Sequence, residues 1–479
     1  MLFNSLKFLV FFPVVVFVYF LLPHKWRWAW LLGMSCVFYM AFVPVYILIL
    51  GFTIVIDYFA GIFIERSTKW KRPFLIMSLI ANIGVLAVFK YYNFLTENIN
   101  LLLHSSGVTD SIPLLSILLP IGLSFHTFQA MSYTIEVYRG TQKAERHFGI
   151  YALYVMFFPQ LVAGPIERPQ NMIHQFHEKH FLVPQNVLDG IRQMLWGFFK
   201  KVVIADRLSL YVDPVFNDYY SFHFLNILIA CGFFAFQIYA DFSGYSDIAL
   251  GSAKILGFDL MINFNRPYAS KSITEFWRRW HISLSSWFND YLFQPLMIGA
   301  RNWGKFGTAF SLFLTFFLAG LWHGAGWTFI IYGSLHGLAL VYEFYTKKFR
   351  KNLSKKIPAF IYQNVSLLLT FGFVSIAMIF FRAHTFVDAF GMLKNIFSFD
   401  HSHPFLWVVG AGELNFNSFS WAVTVFSLLF VFFTEKNTSA DLKSLNAFPK
   451  TDIAVGTIVF SLILICGVFN QTSFIYFQF

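Results

Sequence analysis

Charge is what this 479-residue chain has least of: Asp, Glu, Lys and Arg together make up 12% of it, whereas a soluble domain carries about 25%. Hydrophobic residues make up 57%, and the mean hydropathy is +0.61. That balance excludes a soluble globular domain and marks an integral membrane protein. Polar and apolar residues do not alternate along the apolar stretches, which excludes a transmembrane β-barrel. Cysteine is scarce as well. Cys36, Cys231 and Cys466 lie in apolar runs with no Cys-x-x-Cys and no metal-ligand spacing, so they read as packing residues, imply no metal site and say nothing of redox compartment.

What the chain does have is long uncharged or nearly uncharged runs, at 8–23, 29–56, 74–89, 224–240, 306–342, 357–381, 415–434 and 453–479. A helix needs roughly 20 apolar residues to cross the hydrocarbon, and the longer runs can fold back as pairs. The expected fold is therefore all-α and polytopic, with about ten to thirteen helices at membrane depth, some of them broken or re-entrant. The first run has the apolar character of a signal peptide. The following "FLLPHKWRW" offers no small-residue cleavage site and another span follows at once, so it reads as a retained first span.

The formal net charge of +11 comes from 35 basic against 24 acidic residues. The basic residues cluster between spans, in "RSTKWKR" (66–72) and "KKFRKNLSKK" (347–356). The positive-inside rule accounts for such clusters and places both in the cytoplasm, which leaves no reason to invoke nucleic acid. Three spans precede residue 66, so the N-terminus is expected outside, and "HKWR" at 24–27 again falls inside.

One membrane domain covers 1–479, in three blocks: apolar opening helices at 1–113, a polar core at 114–345 and further apolar helices at 346–479. Loops are expected at 94–113, 397–418 and 435–452, where turn formers collect. No solenoid-length repeat and no pair of interrupted spans is visible. The core is different in kind. "FFPQLVAGPIERP" (157–169) brings three prolines and a glycine close together, which predicts a broken, partly buried segment whose freed backbone groups need protein or water partners. "QIYADFSGYSDIALG" (237–251) sets Asp241 and Asp247 at or beside an apolar helix, where an unpartnered carboxylate costs several kcal/mol. Such residues are either functional or structural, and N-capping of the following helix by Asp241 or Ser243 is the plainer reading.

Two histidine segments remain. "ITEFWRRWHISLSSWFNDYLFQPL" (273–296) interleaves Trp277, Trp280 and Trp287 with Arg278 and Arg279 at helical spacing, and predicts an amphipathic helix at the membrane interface with His281 as an interfacial polar residue. "AGLWHGAGW" (319–327) sits in the middle of the uncharged run 306–342, long enough for two spans with His323 at their junction. On one reading Gly324 and Gly326 make a turn while Trp322 and Trp327 mark an interface. On the other, an imidazole deep in a membrane protein lines a site or pathway. Composition does not choose between them.

"PIGLSFHTFQAMSYTIEVYRG" (120–140), "FFPQLVAGPIERP", "DFSGYSDIALGSAKILGFDLMINFNRPY" (241–268), "FWRRWHISLSSWFNDYLFQPL" and "LWHGAGWTFIIYGSLHG" occur in an order that resembles the membrane-bound O-acyltransferases. The likeness is to the bacterial branch that acetylates alginate and peptidoglycan and, more distantly, to the D-alanyl transferases of teichoic acid. It runs over nearly the whole chain and is dense from 114 to 345. His126 stands where an aromatic residue is more usual and is given no role.

The resemblance implies that His323 is the catalytic histidine and that His281 occupies the second histidine or asparagine position of a central tunnel. Trp322, Gly324, Asp241, Asn289 and Gln160 are further candidates to line that tunnel. It implies a donor thioester, acetyl-CoA or an acyl carrier, with no tightly bound cofactor. The acceptor is expected to be an extracytoplasmic polysaccharide such as alginate. Peptidoglycan and, with D-alanine, teichoic acid are alternatives. The implied setting is the bacterial inner membrane, among lipid, with an extracytoplasmic acetyltransferase or SGNH-type protein as partner. A proton-coupled transporter using His281, His323 and Asp241 is the rival from another class. One tension is left by the sequence: a simple hairpin over 306–342 would put His323 towards the outer surface, whereas a broken segment would bury it.

Overall fold

A computed structural model describes residues 1–116, 120–398, 416–437, 453–469 and 474–475. Every regular element among them is helical. Among the described residues, six helices are long and apolar enough to cross a membrane: Pro44–Arg66, Lys71–Ser105, Phe224–Leu256, Arg301–His323, Ala359–Arg382 and Ser418–Glu435. Leu6–Leu21 and Val455–Cys466 are shorter apolar helices. The chain is an all-helical, multi-pass membrane protein. The loops expected at 397–418 and 435–452 and parts of the last apolar run fall mostly outside the described residues. The turn former-rich stretch from 94 is helical as far as Ser105, because helix Tyr92–Ser105 continues the span begun at Lys71 through a π-turn at Ala87–Tyr91.

The chain divides into two compact units. The first comprises Met1–Ile191 and Ala249–Met261. Its helices Ile47–Arg66, Lys71–Leu86 and Leu123–Arg139 are tied by a buried polar knot in which Asp57 accepts hydrogen bonds from Ser78 Oγ at 2.6 Å and from Asn82 Nδ2 at 2.9 and 3.0 Å. Ser78 also bonds Thr134 at 3.0 Å. The carboxylate thereby gains three hydrogen bonds from the amide N–H and a hydroxyl, the pairing that a buried charge in an apolar surrounding demands.

The "FFPQLVAGPIERP" stretch breaks as its prolines predict. Helix Phe148–Met156 ends, Phe158–Leu161 adds one turn, and regular structure resumes only with Pro169–His177. The non-helical residues as far as Glu167 are buried, and hydrogen bonds tie the break together. Tyr154 donates its hydroxyl to Glu167 O at 2.9 Å, Met261 N donates to Glu167 Oε1, and Gln160 Nε2 donates to Tyr154 O at 2.8 Å.

The second unit comprises Arg192–Ile248 and Ile262–Phe479. The uncharged run 306–342 is an antiparallel hairpin in which helix Gly304–His323 returns as Trp327–Lys356. Small residues set its closeness: a Cβ on Gly320 would stand 2.3 Å from Phe329 O, and one on Gly333 would stand 2.3 Å from Phe316 O. Between membrane helices, where lipid is as apolar as any side chain, such backbone approach is a principal source of packing energy.

Asp241, Ser243 and Asp247 are interior residues of the continuous helix Phe224–Leu256, so the N-capping reading is overturned. Lys201, on the π-turn Phe199–Ala205, supplies the missing partner: its Nζ lies 2.7 Å from Asp241 and 2.9 Å from Asp206. Lys200 pairs with Asp247 at 2.5 Å. Paired this way, a carboxylate needs no helix end to lower the cost of burial.

Candidate active site

The site is built in the second unit from the turn of the hairpin and from the segment that carries His281. The interfacial-helix expectation for 273–296 is corrected: Ile273–Arg279 is one short helix, Ile282–Phe288 another, and the chain reverses between them at His281, whose φ is 44°. Arg266 is the only other described non-glycine residue with positive φ. Such a conformation holds only where surroundings over-determine it. Asn263 does so here, its carbonyl accepting from Ile282 N at 2.9 Å and its Oδ1 from Ser283 Oγ at 2.6 Å and Ser283 N at 3.3 Å.

The first short helix is fixed at its start. Ser272 Oγ accepts from Glu275 N at 3.0 Å, the N-terminal half of a capping box. Glu343, from the second helix of the hairpin, accepts from Ile273 N at 2.8 Å and from Thr274 N and Oγ1 at 3.0 and 2.6 Å. The indoles are not at an interface. Trp277, Trp280 and Trp287 are buried, Trp280 stacking on Phe276 at 5.5 Å and meeting Phe264 edge-on at 5.1 Å. Trp277 and Trp280 belong to the hydrophobic core of this unit, and Trp287 packs on Phe288 and Tyr291.

His281 is completely buried and meets Phe242 edge-on at 4.6 Å. Burial pushes its pKa down to about 3, so the ring is neutral. It is not the interfacial side chain that composition suggested.

His323 ends the first helix of the hairpin and is 6% exposed. Its ring packs edge-on against Trp322 at 4.9 Å, Phe381 at 5.3 Å and Tyr332 at 6.0 Å. Trp322 in turn meets Phe288, on the helix after His281, at 6.4 Å. The two histidine segments are thus joined through Phe288 and Trp322. The hairpin geometry and burial occur together: His323 lies at the turn, yet aromatic rings cover it.

The other candidates fare differently. Gly324 is extended, with φ −160°, and a Cβ there would stand 2.1 Å from the ring of Phe329, so its small size serves packing of the turn. Asp241 sits in the ion network with Lys201 and Asp206, and its second oxygen accepts from Ile475 N at 2.7 Å. Its neighbour Phe242 touches His281. Asn289 is exposed on the π-turn Asn289–Phe293 and bonds Asp290 at 3.0 Å; no contact joins it to either histidine. Gln160 is buried in the first unit. His126, given no role, is buried and lies 2.5 Å from Thr53 Oγ1.

Two residues that sequence reasoning did not single out stand beside these. Tyr332 packs on His323, and His336, one turn further along the same helix, packs on Tyr332 at 4.8 Å and accepts from Trp277 Nε1 at 3.2 Å. The spacing Tyr332 to His336 inside an uncharged run was the available signal.

The sequence model of the membrane-bound O-acyltransferase family matches residues 146–382, which take in both histidine segments and the hairpin. A probable alginate O-acetylase of Pseudomonas aeruginosa is 38% identical over 406 residues, covering 83% of this chain and 75% of that protein. The chain belongs to the membrane-bound O-acyltransferase family. A peptidoglycan O-acetyltransferase of Helicobacter pylori is 37% identical over 399 residues, covering 77% of this chain and 73% of that one. A teichoic acid D-alanyltransferase of Bacillus subtilis is 30% identical over 277 residues, covering 56% and 69%. Membership makes the protein an acyltransferase.

Proposed function

We propose that this acyltransferase carries an acetyl group from a cytoplasmic thioester to a hydroxyl of an extracytoplasmic polysaccharide such as alginate, with His323 as general base. The observation that carries the reading is the place of His323: buried, at the turn of an uncharged hairpin whose other ends are basic. Helix Gly304–His323 has 20 residues and rises about 30 Å, the thickness of the hydrocarbon. Arg301 and Lys305 at one end and Lys347 and Lys348 on the returning helix hold those ends in the cytoplasm by the positive-inside rule. His323 then faces the outer leaflet, where an acceptor hydroxyl arrives, and the acyl end of the thioester reaches across to meet it.

In the step itself the hydroxyl proton passes to His323 as the oxygen attacks the thioester carbonyl. The C–S bond then breaks, and the proton leaves with the thiolate as a thiol. A positioned base gives about 10²- to 10⁴-fold in such a step. His281, neutral and rigidly held, orients the acceptor or donates a hydrogen bond to the developing oxyanion. Trp322 walls the base from lipid. Asp241, locked to Lys201, holds the helix on which Phe242 backs His281. The donor is acetyl-CoA or an acyl-carrier thioester, neither of them tightly held. The setting is the bacterial inner membrane with the N-terminus outside, and an SGNH-type or other extracytoplasmic acetyltransferase completes transfer to the polymer.

Peptidoglycan is the second reading, favoured by the 37% identity to a peptidoglycan O-acetyltransferase. Acetyl is preferred to D-alanyl because the D-alanyltransferase matches only 56% of this chain. The test is removal of the gene and its restoration, with mass spectrometry of ester-linked groups released from each envelope glycan. Loss and return of acetate on a polysaccharide supports the reading. Unchanged acetate, or loss of D-alanine instead, overturns it.

A further inference from the structure

The hairpin carries a third imidazole, and its hydrogen bonding fixes its protonation. His336 Nδ1 accepts from Trp277 Nε1 at 3.2 Å. An indole N–H can only donate, so Nδ1 is the bare nitrogen and the ring's proton is on Nε2. That Nε2–H is fully buried and has no acceptor among the described residues. The imidazole packs among aromatic rings, centre to centre 4.8 Å from Tyr332, 5.1 Å from Trp277, 5.4 Å from Phe373 and 6.3 Å from Phe276. A buried donor given no partner is unfavourable and calls for a partner, which a bound molecule would supply.

Its place says which molecule. His336 is about 14 Å further along the returning helix than Trp327, back towards the basic end. The same helix carries Tyr332 towards His323 and Glu343 and Arg350 towards the basic end, with Glu343 and Arg350 paired at 3.2 Å. A thioester coming from the basic end therefore passes His336 before its carbonyl reaches His323. We infer that His336 Nε2–H binds the acyl donor by donating a hydrogen bond to a carbonyl oxygen of the thioester's arm, an inference that rests on His323 being the site of transfer. Trp277 holds the imidazole in the donating tautomer, and the reversal at His281 places Trp277.

The experiment uses inverted membrane vesicles containing the full chain and its native partners, titrated with labelled acetyl-CoA, with ester-linked acetate as the readout. His336→Leu fills the space without a donor, while His336→Gln offers an oxygen to Trp277 and an N–H to the ligand. The expected result is a KM for acetyl-CoA raised about tenfold or more in His336→Leu, with kcat within about threefold, and a KM within about threefold of wild type in His336→Gln. An unchanged KM in His336→Leu, a fall in kcat alone, or a His336→Gln no better than His336→Leu overturns the inference. Should His336→Leu not accumulate, Trp277→Phe frees the tautomer while leaving the imidazole; a KM raised about twofold or more supports the inference and an unchanged KM overturns it. Wild-type vesicles that transfer nothing from acetyl-CoA would instead contradict the donor assignment itself.

Discussion

An imidazole that takes a proton from an alcohol must be neutral, oriented and within reach of the oxygen. His281 shows how the protein meets the first two conditions: burial keeps it neutral, and Asn263 holds its backbone in the left-handed region. Replacement of His281 by Ala is expected to lower ester content of the envelope by about tenfold, less completely than loss of the base at 323, because an orienting or oxyanion bond is one contribution among several. An unchanged content at equal protein level would leave His281 a packing residue. Glu167 gives a second test at this scale. Burial pushes its carboxyl from 4.5 up to about 7, partly offset by the Met261 N–H. The folded state therefore holds a proton that the unfolded chain releases above 4.5, and this group's contribution to stability is lost as pH rises towards 7. Thermal unfolding in detergent between pH 5 and 8 should show a falling midpoint for the wild type and a flatter one for Glu167→Gln; parallel curves would contradict this.

At the scale of elements, the hairpin depends on two glycines facing each other. A side chain at Gly320 or Gly333 has backbone 2.3 Å away and nowhere to turn. Gly320→Val is expected to destabilise by about 3 kcal/mol or more, as over-packed interfaces do, and to lower the yield of folded protein together with ester content. Normal yield would show that the helices can part without cost. The elements also show what the chain made legible. The uncharged run with His323 at its middle announced the hairpin, and the prolines of 157–169 announced the break, because both are local properties of backbone and composition. The reversal at His281 was not announced, since residues 273–296 have continuous helical periodicity and the break comes from Asn263, outside that stretch. Asp241 read as a cap because its partner Lys201 lies 40 residues earlier on a π-turn that no pattern reveals. The tryptophans looked interfacial for the same reason: Phe264 and Phe316, which cover Trp280 and Trp277, lie outside the stretch.

For the whole molecule, the proposed sidedness rests on charge and on the number of helices before the first basic turn. Helices Leu6–Leu21, His24–Met40 and Ile47–Arg66 precede the basic turn at 66–72; only the last is long and apolar enough to span by itself, and counting all three as crossings puts the N-terminus outside when that turn is inside. A cysteine at exposed Ala41 is expected to react with a membrane-impermeant maleimide added to intact cells, and one at exposed Thr68 only after permeabilisation. The reverse pattern would invert the direction of transfer. That direction matters only if the buried histidine at the far end of the hairpin moves the proton. The most direct measurement is alkaline release of acetate from envelope glycans of strains making wild-type or His323→Ala protein at matched membrane levels. Acetate reduced about 10²-fold or more in the variant is the predicted result; acetate at the wild-type level would contradict the assignment of His323 as the base.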